Sequence, residues 1–271
     1  MFSSSLKNSP VLLLCLAAIL LPVAGCRRAA TTPAAVPAAG TPVGSFKSPS
    51  GKIYARTLVG PPDNDEPPVR LPRARSGGAA GGDDYAGSSR MAAKLSVASA
   101  TPENFDGLGP LLDSLPSDET MRALHIDEGP DSGRLPQEQR VVVVKAFIYA
   151  SSKESDNDFH CIAGPDPTQP PRYMNVEVSG LPPASSQFFA MLTAARNEFK
   201  AFFSSGSDAL PTRGYEKYDP PIPVTITGSL FFDVDHVPPA VGPTGMKPQT
   251  AWEIHPVSDM QFEPQTATNN N

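Results

Sequence analysis

Cysteine is scarce in this chain, with three in 271 residues, at positions 15, 26 and 161. That excludes a disulfide framework, so any folded part must rest on its apolar core. Cys161 lies in an apolar run and reads as a small buried hydrophobe rather than a nucleophile. Long apolar runs are missing too. The longest, Val11 to Leu21, is too short to cross a bilayer as a helix. Contiguous basic blocks are absent, the formal net charge is −6, and within 139–263 acids outnumber bases. Nucleic-acid binders draw most of their affinity from basic grooves that displace counterions, so nucleic acid is disfavoured as a partner. There are only four histidines, and none sits in a ligand signature such as His-Glu-x-x-His. Gly77, Gly78, Gly81 and Gly82 have no strand before them and no helix after them, which excludes a phosphate-cradling loop.

What is present begins with an address. Lys7 precedes the apolar run, which ends in Leu21-Pro22-Val23-Ala24-Gly25-Cys26. Charge, a short apolar core and small residues before a cysteine form a signal-peptide pattern. This ending resembles the lipobox of bacterial lipoproteins. The resemblance implies cleavage between Gly25 and Cys26 and acylation of Cys26, with palmitate among the usual acyl groups, so that the protein is anchored to a membrane and does not span it. Arg27 follows where a retention signal would place Asp. The expected site is therefore the cell envelope, on the periplasmic face of the outer membrane if the host has two membranes.

Five segments follow from composition. Residues 1–25 are the signal peptide. Residues 26–100, rich in Ala, Pro, Gly and Ser, are expected to be a disordered tether, because they offer too little apolar surface to offset the entropy of ordering. Arg70, Arg73, Arg75, Arg90 and Lys94 make its second half mildly basic and are expected to be solvated. Residues 101–138 are transitional, with a short helix at 117–124 capped by Ser117. Residues 139–263 form the folded domain, and 264–271 a disordered tail.

Within 139–263 the pattern predicts strands at 141–150, 158–163 and 173–178, then a helix over 186–203. Strands beginning at Ile222 and at Ala251 close the order. In the second strand, period two puts Phe159 and Cys161 on one face and Asp158 and His160 on the other. The order β-β-β-α-β-β predicts a mainly β fold with one helix, an OB-like five-stranded barrel. The runs Asp156-Asn157-Asp158-Phe159-His160, Phe231-Phe232-Asp233 and Trp252-Glu253-Ile254-His255-Pro256-Val257 resemble those of a group of uncharacterised bacterial proteins with an OB-like or nuclease-like barrel. The likeness covers about 139–262; it implies the fold and carries no activity.

In such barrels the loops between strands one and two and between strands four and five share one surface. That arrangement brings Asp158, His160, Asp233, Asp235, His236, Glu253 and His255 toward one rim as candidate ligand or metal residues. Carboxylates with imidazoles suit a divalent ion, and ion-bound water would attack an ester or phosphodiester. The plainer alternatives are turn formation by the aspartates and hydrogen bonding that holds strands in register. No cofactor is required by the sequence. Two functions follow as expectations. The first is a non-enzymatic envelope lipoprotein whose domain binds a protein, peptide or glycan, with Tyr149, Tyr173, Tyr215, Tyr218 and Trp252 as stacking residues. The alternative is a metal-dependent hydrolase working through the Asp/His rim.

Overall fold

The computed structural model describes residues 40–63, 82–205, 209–236 and 241–264. The signal peptide, Cys26, residues 27–39 and 64–81 of the expected tether, and residues 206–208, 237–240 and 265–271 lie outside the described residues.

In chain order the strands and helices are β1 (Thr41–Lys47), β2 (Ile53–Gly60), α1 (Met91–Lys94), β3 (Glu103–Phe105), α2 (Leu108–Asp113), α3 (Asp118–Arg122), β4 (Val141–Lys153), β5 (Phe159–Gly164), β6 (Met174–Val178), α4 (Phe189–Ser204), β7 (Tyr215–Phe232) and β8 (Trp252–Phe262). Strands β4, β5, β6, β8 and β7 pair in that order, and β7 pairs back onto β4 to close a five-stranded barrel. Every pairing is antiparallel except β6 with β8. With α4 between the third and fourth barrel strands, this is the predicted OB-like arrangement.

The barrel closes over Val142, Val144, Ile148, Cys161, Val176, Leu230, Phe232, Trp252 and Ile254, all buried. Helix α4 lays Leu192, Ala195, Phe199, Phe202 and Phe203 against it, a stripe set by helical spacing. Met191 lies off that stripe and is 46% exposed. Cys161 is free and buried, with burial the main cause raising its thiol above the ordinary value.

Several boundaries differ from the sequence reading, for local reasons. Strand β7 starts at Tyr215, ahead of the expected start at Ile222. Its first part pairs with β2 as far as Asp219, and its ladder with β4 skips from Lys217 to Ile222. Pro220 and Pro221 sit in that skipped stretch, where a missing N–H costs no ladder bond. At the other end the strand stops at Phe232, and Val234–His236 form a 3-10 turn. Ser117 caps α3 as expected, accepting from the Thr120 amide at 3.2 Å.

Residues 26–100 are not uniformly a tether. Thr41–Lys47 and Ile53–Gly60 form a hairpin that extends the barrel sheet through β7. Composition hid this because three well-placed side chains suffice: Phe46, Tyr54 and Leu58 are buried, and Phe46 packs on Phe203 at 5.2 Å. Residues 82–95 also lie against the barrel. Arg90 and Lys94, expected in solvent, are 1% and 8% exposed. Residues 101–138 are likewise part of the domain, with β3 pairing parallel to β4 and Leu108, Leu111 and Met121 buried.

Candidate functional site

Strand β6 explains where the polar residues gather. Met174, Val176 and Val178 point into the barrel, so period two sends Asn175 and Glu177 to its outer face. Glu177 stands opposite His160 in the β5–β6 register, and Asn175 opposite Glu253 across the parallel β6–β8 pair. Two residues on, His255 shares the face of Glu253, while Trp252 and Ile254 point into the core, as the alternation predicts. The 3-10 turn after β7 folds His236 over the same wall.

Glu177 is the hub. Its Oε1 lies 3.0 Å from His160 Nε2 and 3.9 Å from His236 Nδ1, and its Oε2 lies 2.7 Å from His255 Nδ1. His236 Nδ1 is 2.5 Å from Glu253 Oε1, and His255 Nε2 is 3.4 Å from Asp158 Oδ2. The Asn175 amide donates to Glu177 Oε1 at 2.7 Å and to Glu253 Oε1 at 3.0 Å. Asp158 Oδ1 accepts from the Gly180 amide. Asp233 takes Lys94 Nζ at 2.8 Å, and His160 Nδ1 is 3.5 Å from Asp63.

Six of the seven predicted residues are therefore neighbours: Asp158, His160, Asp233, His236, Glu253 and His255. Asp235 is not; it is exposed, and its amide donates to Asp233 Oδ1 at 2.9 Å in a turn. The expected open rim is also corrected. The group lies on the outward wall of β5, β6 and β8, the wall where barrels of this kind take ligands. Here that wall is covered by the protein's own chain. Residues 82–95 close one side: Tyr85 N donates to Leu181 O at 3.0 Å, and a Cβ on Gly180 would stand 2.7 Å from the Tyr85 backbone. The segment after β7 closes the other. Of Glu177 and the six predicted residues around it none is more than 7% exposed.

Burial and opposite charge compete at each group. Burial works to raise Glu177, but His160 and His255 outweigh it and hold the carboxyl well below its ordinary range. Burial would lower His255; Glu177, Glu253 and Asp158 overcome it and lift the imidazole to about 9. Asp158 goes the other way, raised well above its ordinary value by burial and by Asp156 beside it. At Asp233 burial is overridden by Lys94 and His236, and the carboxyl is lowered.

Sequence reasoning missed Glu177, Asn175, Lys94 and the pair Arg90–Glu138. The signal for the first two was there: two polar residues at period two in an otherwise apolar strand. Arg90 and Lys94 gave none, since nothing local marks a buried cation within an Ala/Gly/Ser-rich stretch. Arg90 forms a two-pronged bond to Glu138, 2.7 Å on each arm, and its guanidinium lies 4.6 Å over the Phe231 ring.

Of the aromatics named from sequence, Tyr215, Tyr218 and Trp252 are buried. Tyr149 and Tyr173 are half-buried and meet edge to face at 5.2 Å. They line a groove of about 430 Å³ with Val59, Lys217, Pro221 and Met246. No protein-family model, no curated protein and no solved structure matches this chain, so fold and site geometry alone carry the functional argument.

Proposed function

We propose that this chain is an exported lipoprotein, held to the envelope membrane through Cys26, whose barrel domain binds a partner of the envelope, whether protein, peptide or glycan, in the groove lined by Tyr149 and Tyr173. One observation carries the reading. The groove is open and aromatic, whereas the Asp/His group that a hydrolase would use is covered. Burial, with Tyr173 and Asp166 adding to it, pushes the Tyr149 phenol up to about 12, and burial raises Tyr173 as well, so both tyrosines stay neutral at neutral pH beside Lys217 and Asp219 of the lining. Tyrosines with proline and methionine suit a flat, weakly charged ligand surface. The arginines support a partner other than nucleic acid. Arg56, Arg90, Arg134, Arg140 and Arg196 are all engaged with carboxylates or carbonyls of the chain itself. Among the described residues no helix is long and apolar enough to cross a membrane, which is compatible with an anchor rather than a span.

The test is titration of the purified chain with cell-wall glycan fragments and envelope peptides, followed by the Tyr149→Ala/Tyr173→Ala variant. Loss of about tenfold or more in affinity is expected, the scale of a tyrosine anchor. Unchanged affinity would remove the groove from the argument. The second reading, a metal-dependent hydrolase at the Asp/His group, is favoured by the donor types gathered there. Chelator-sensitive turnover of an ester or phosphodiester by the wild-type chain, abolished in His236→Ala, would replace the first reading with it.

A further inference from the structure

We infer that the buried centre around Glu177 is a site for one divalent transition-metal ion, held by Glu177, His236 and Glu253 with His160 as the fourth donor, and that the ion fastens the covering segment to the barrel.

The donors are of the right kind and in reach. Glu177, His236 and Glu253 each offer one atom, all within 4.8 Å of one another. His160 Nε2 reaches the same Glu177 oxygen at 3.0 Å, and the two imidazoles stand edge to face at 5.4 Å. Two ring nitrogens and two carboxylates suit Zn²⁺ and its first-row neighbours, whose bonds to such donors are about 2.0–2.2 Å. Three donor atoms already lie within 4.8 Å of one another, and His160 Nε2 would join them by moving from its place 3.0 Å from the shared Glu177 oxygen.

A second, separate observation points to a ligand. Glu253 Oε2 is buried and has no hydrogen-bond partner among the described residues, and Glu177 Oε2 has only His255 Nδ1, 2.7 Å away. Asp158 Oδ2 is likewise buried without a hydrogen bond, with His255 Nε2 as its neighbour at 3.4 Å. Buried carboxylates without partners are costly, because desolvation is compensated only by a nearby charge or donor. Lys94 answers Asp233, whereas Glu177 and Glu253 have only imidazoles and the neutral Asn175 amide beside them. An ion of charge two, with neutral histidines as ligands, supplies what is missing.

The surroundings are those of a supported centre. Asn175 pins one oxygen of each carboxylate, and the chain Asp158–His255–Glu177 orients the hub from behind. The four donors come from β5, β6, β8 and the turn after β7. An ion among them therefore ties that turn to the sheet. The inference does not rest on the groove.

The experiment uses the full wild-type chain in detergent, stripped with EDTA, dialysed and titrated with Zn²⁺ or Mn²⁺. Bound ion is then counted by mass spectrometry and melting followed by circular dichroism. Stoichiometric uptake is expected, with a melting temperature raised by about 5–10 °C at about a hundredfold the Kd. Glu177→Gln and Glu253→Gln should lose uptake, Asn175→Ala should weaken it about 10–100-fold, and Glu198→Gln on α4 should keep it. Should Glu177→Gln not fold, His236→Ala, whose side chain comes from a turn outside the ladders, provides the same comparison. A folded wild-type chain that takes up neither ion overturns the inference. So does uptake that survives intact in Glu253→Gln and His236→Ala.

Discussion

Replacing Glu138 with glutamine should cost more than almost any other single change at a residue outside the apolar core. Glu138 is fully buried and binds Arg90 on both oxygens; the same oxygens accept the Phe232 and Leu135 amides at 3.0 and 2.7 Å. Glutamine would leave the Arg90 guanidinium buried without its counter-charge and turn one oxygen into a donor facing donors. Breaking a buried pair from one side costs about 3–5 kcal/mol. For a chain of this size that is a fall of roughly 6–20 °C in melting temperature. Arg90→Met should cost a comparable amount by stranding the carboxylate. The double variant removes both charges and should fall short of the sum by about 2 kcal/mol or more. Arg90 also donates to Phe232 O and Gly133 O, so the double variant will not return to wild type. The assay is urea unfolding of the four proteins followed by circular dichroism, with limited proteolysis of residues 82–95 alongside. Glu138→Gln within about 0.5 kcal/mol of wild type, or strict additivity, would refute the claim that this segment is clamped to the barrel by a desolvated pair.

Two further outcomes follow from local geometry. A Cβ on Gly228 would stand 2.5 Å from Ile254 Cγ2 and 2.7 Å from the Pro256 carbonyl, so Gly228→Ala should lose about 3 kcal/mol in a denaturant titration, while Gly107→Ala, with open space around it, should be near neutral. Asp83 is drawn upward by partial burial, but Lys200 and Arg196 outweigh this and hold it below its ordinary value. Its pairing therefore stabilises fully above about pH 4 and is lost as pH falls through the lowered value. Asp83→Asn should be about 1 kcal/mol less stable than wild type at pH 7 and indistinguishable from it in strong acid; a gap that persists in acid would count against the ion pair.

The barrel was legible because its signals are short-range. Val141–Val144, the alternation of Phe159, His160 and Cys161, and the stripe on α4 each declare their own period. The convergence of three histidines was also legible, since barrel topology brings those loops together whatever their register. What could not be read was the cover. Arg90 becomes buried only because Glu138, far along the chain, waits for it, and Lys94 only because Asp233 does. Tyr54 is buried by Phe202, contributed from α4, and by Phe46 of its own hairpin. Composition averages over a window, whereas these contacts depend on single residues with distant partners. The rim became a wall for the same reason.

The parallel pairing of β6 with β8 has a consequence for the order of assembly. It joins Asn175 to Glu253, neighbours in space that are far apart along the chain. While β8 is unplaced, β4, β5 and β6 can form only an open meander, with the Asn175 amide and the Glu177 carboxylate still hydrated. Capture of β8 closes the ring, delivers Glu253 and His255 and removes that water in one event. Desolvation of the Glu177 carboxylate is thus deferred to a step that also buries Trp252, Ile254 and Val257. Long-range closure of this kind is slow compared with local pairing. Until it happens, the exposed edge of β6 is the part of the chain most in need of protection.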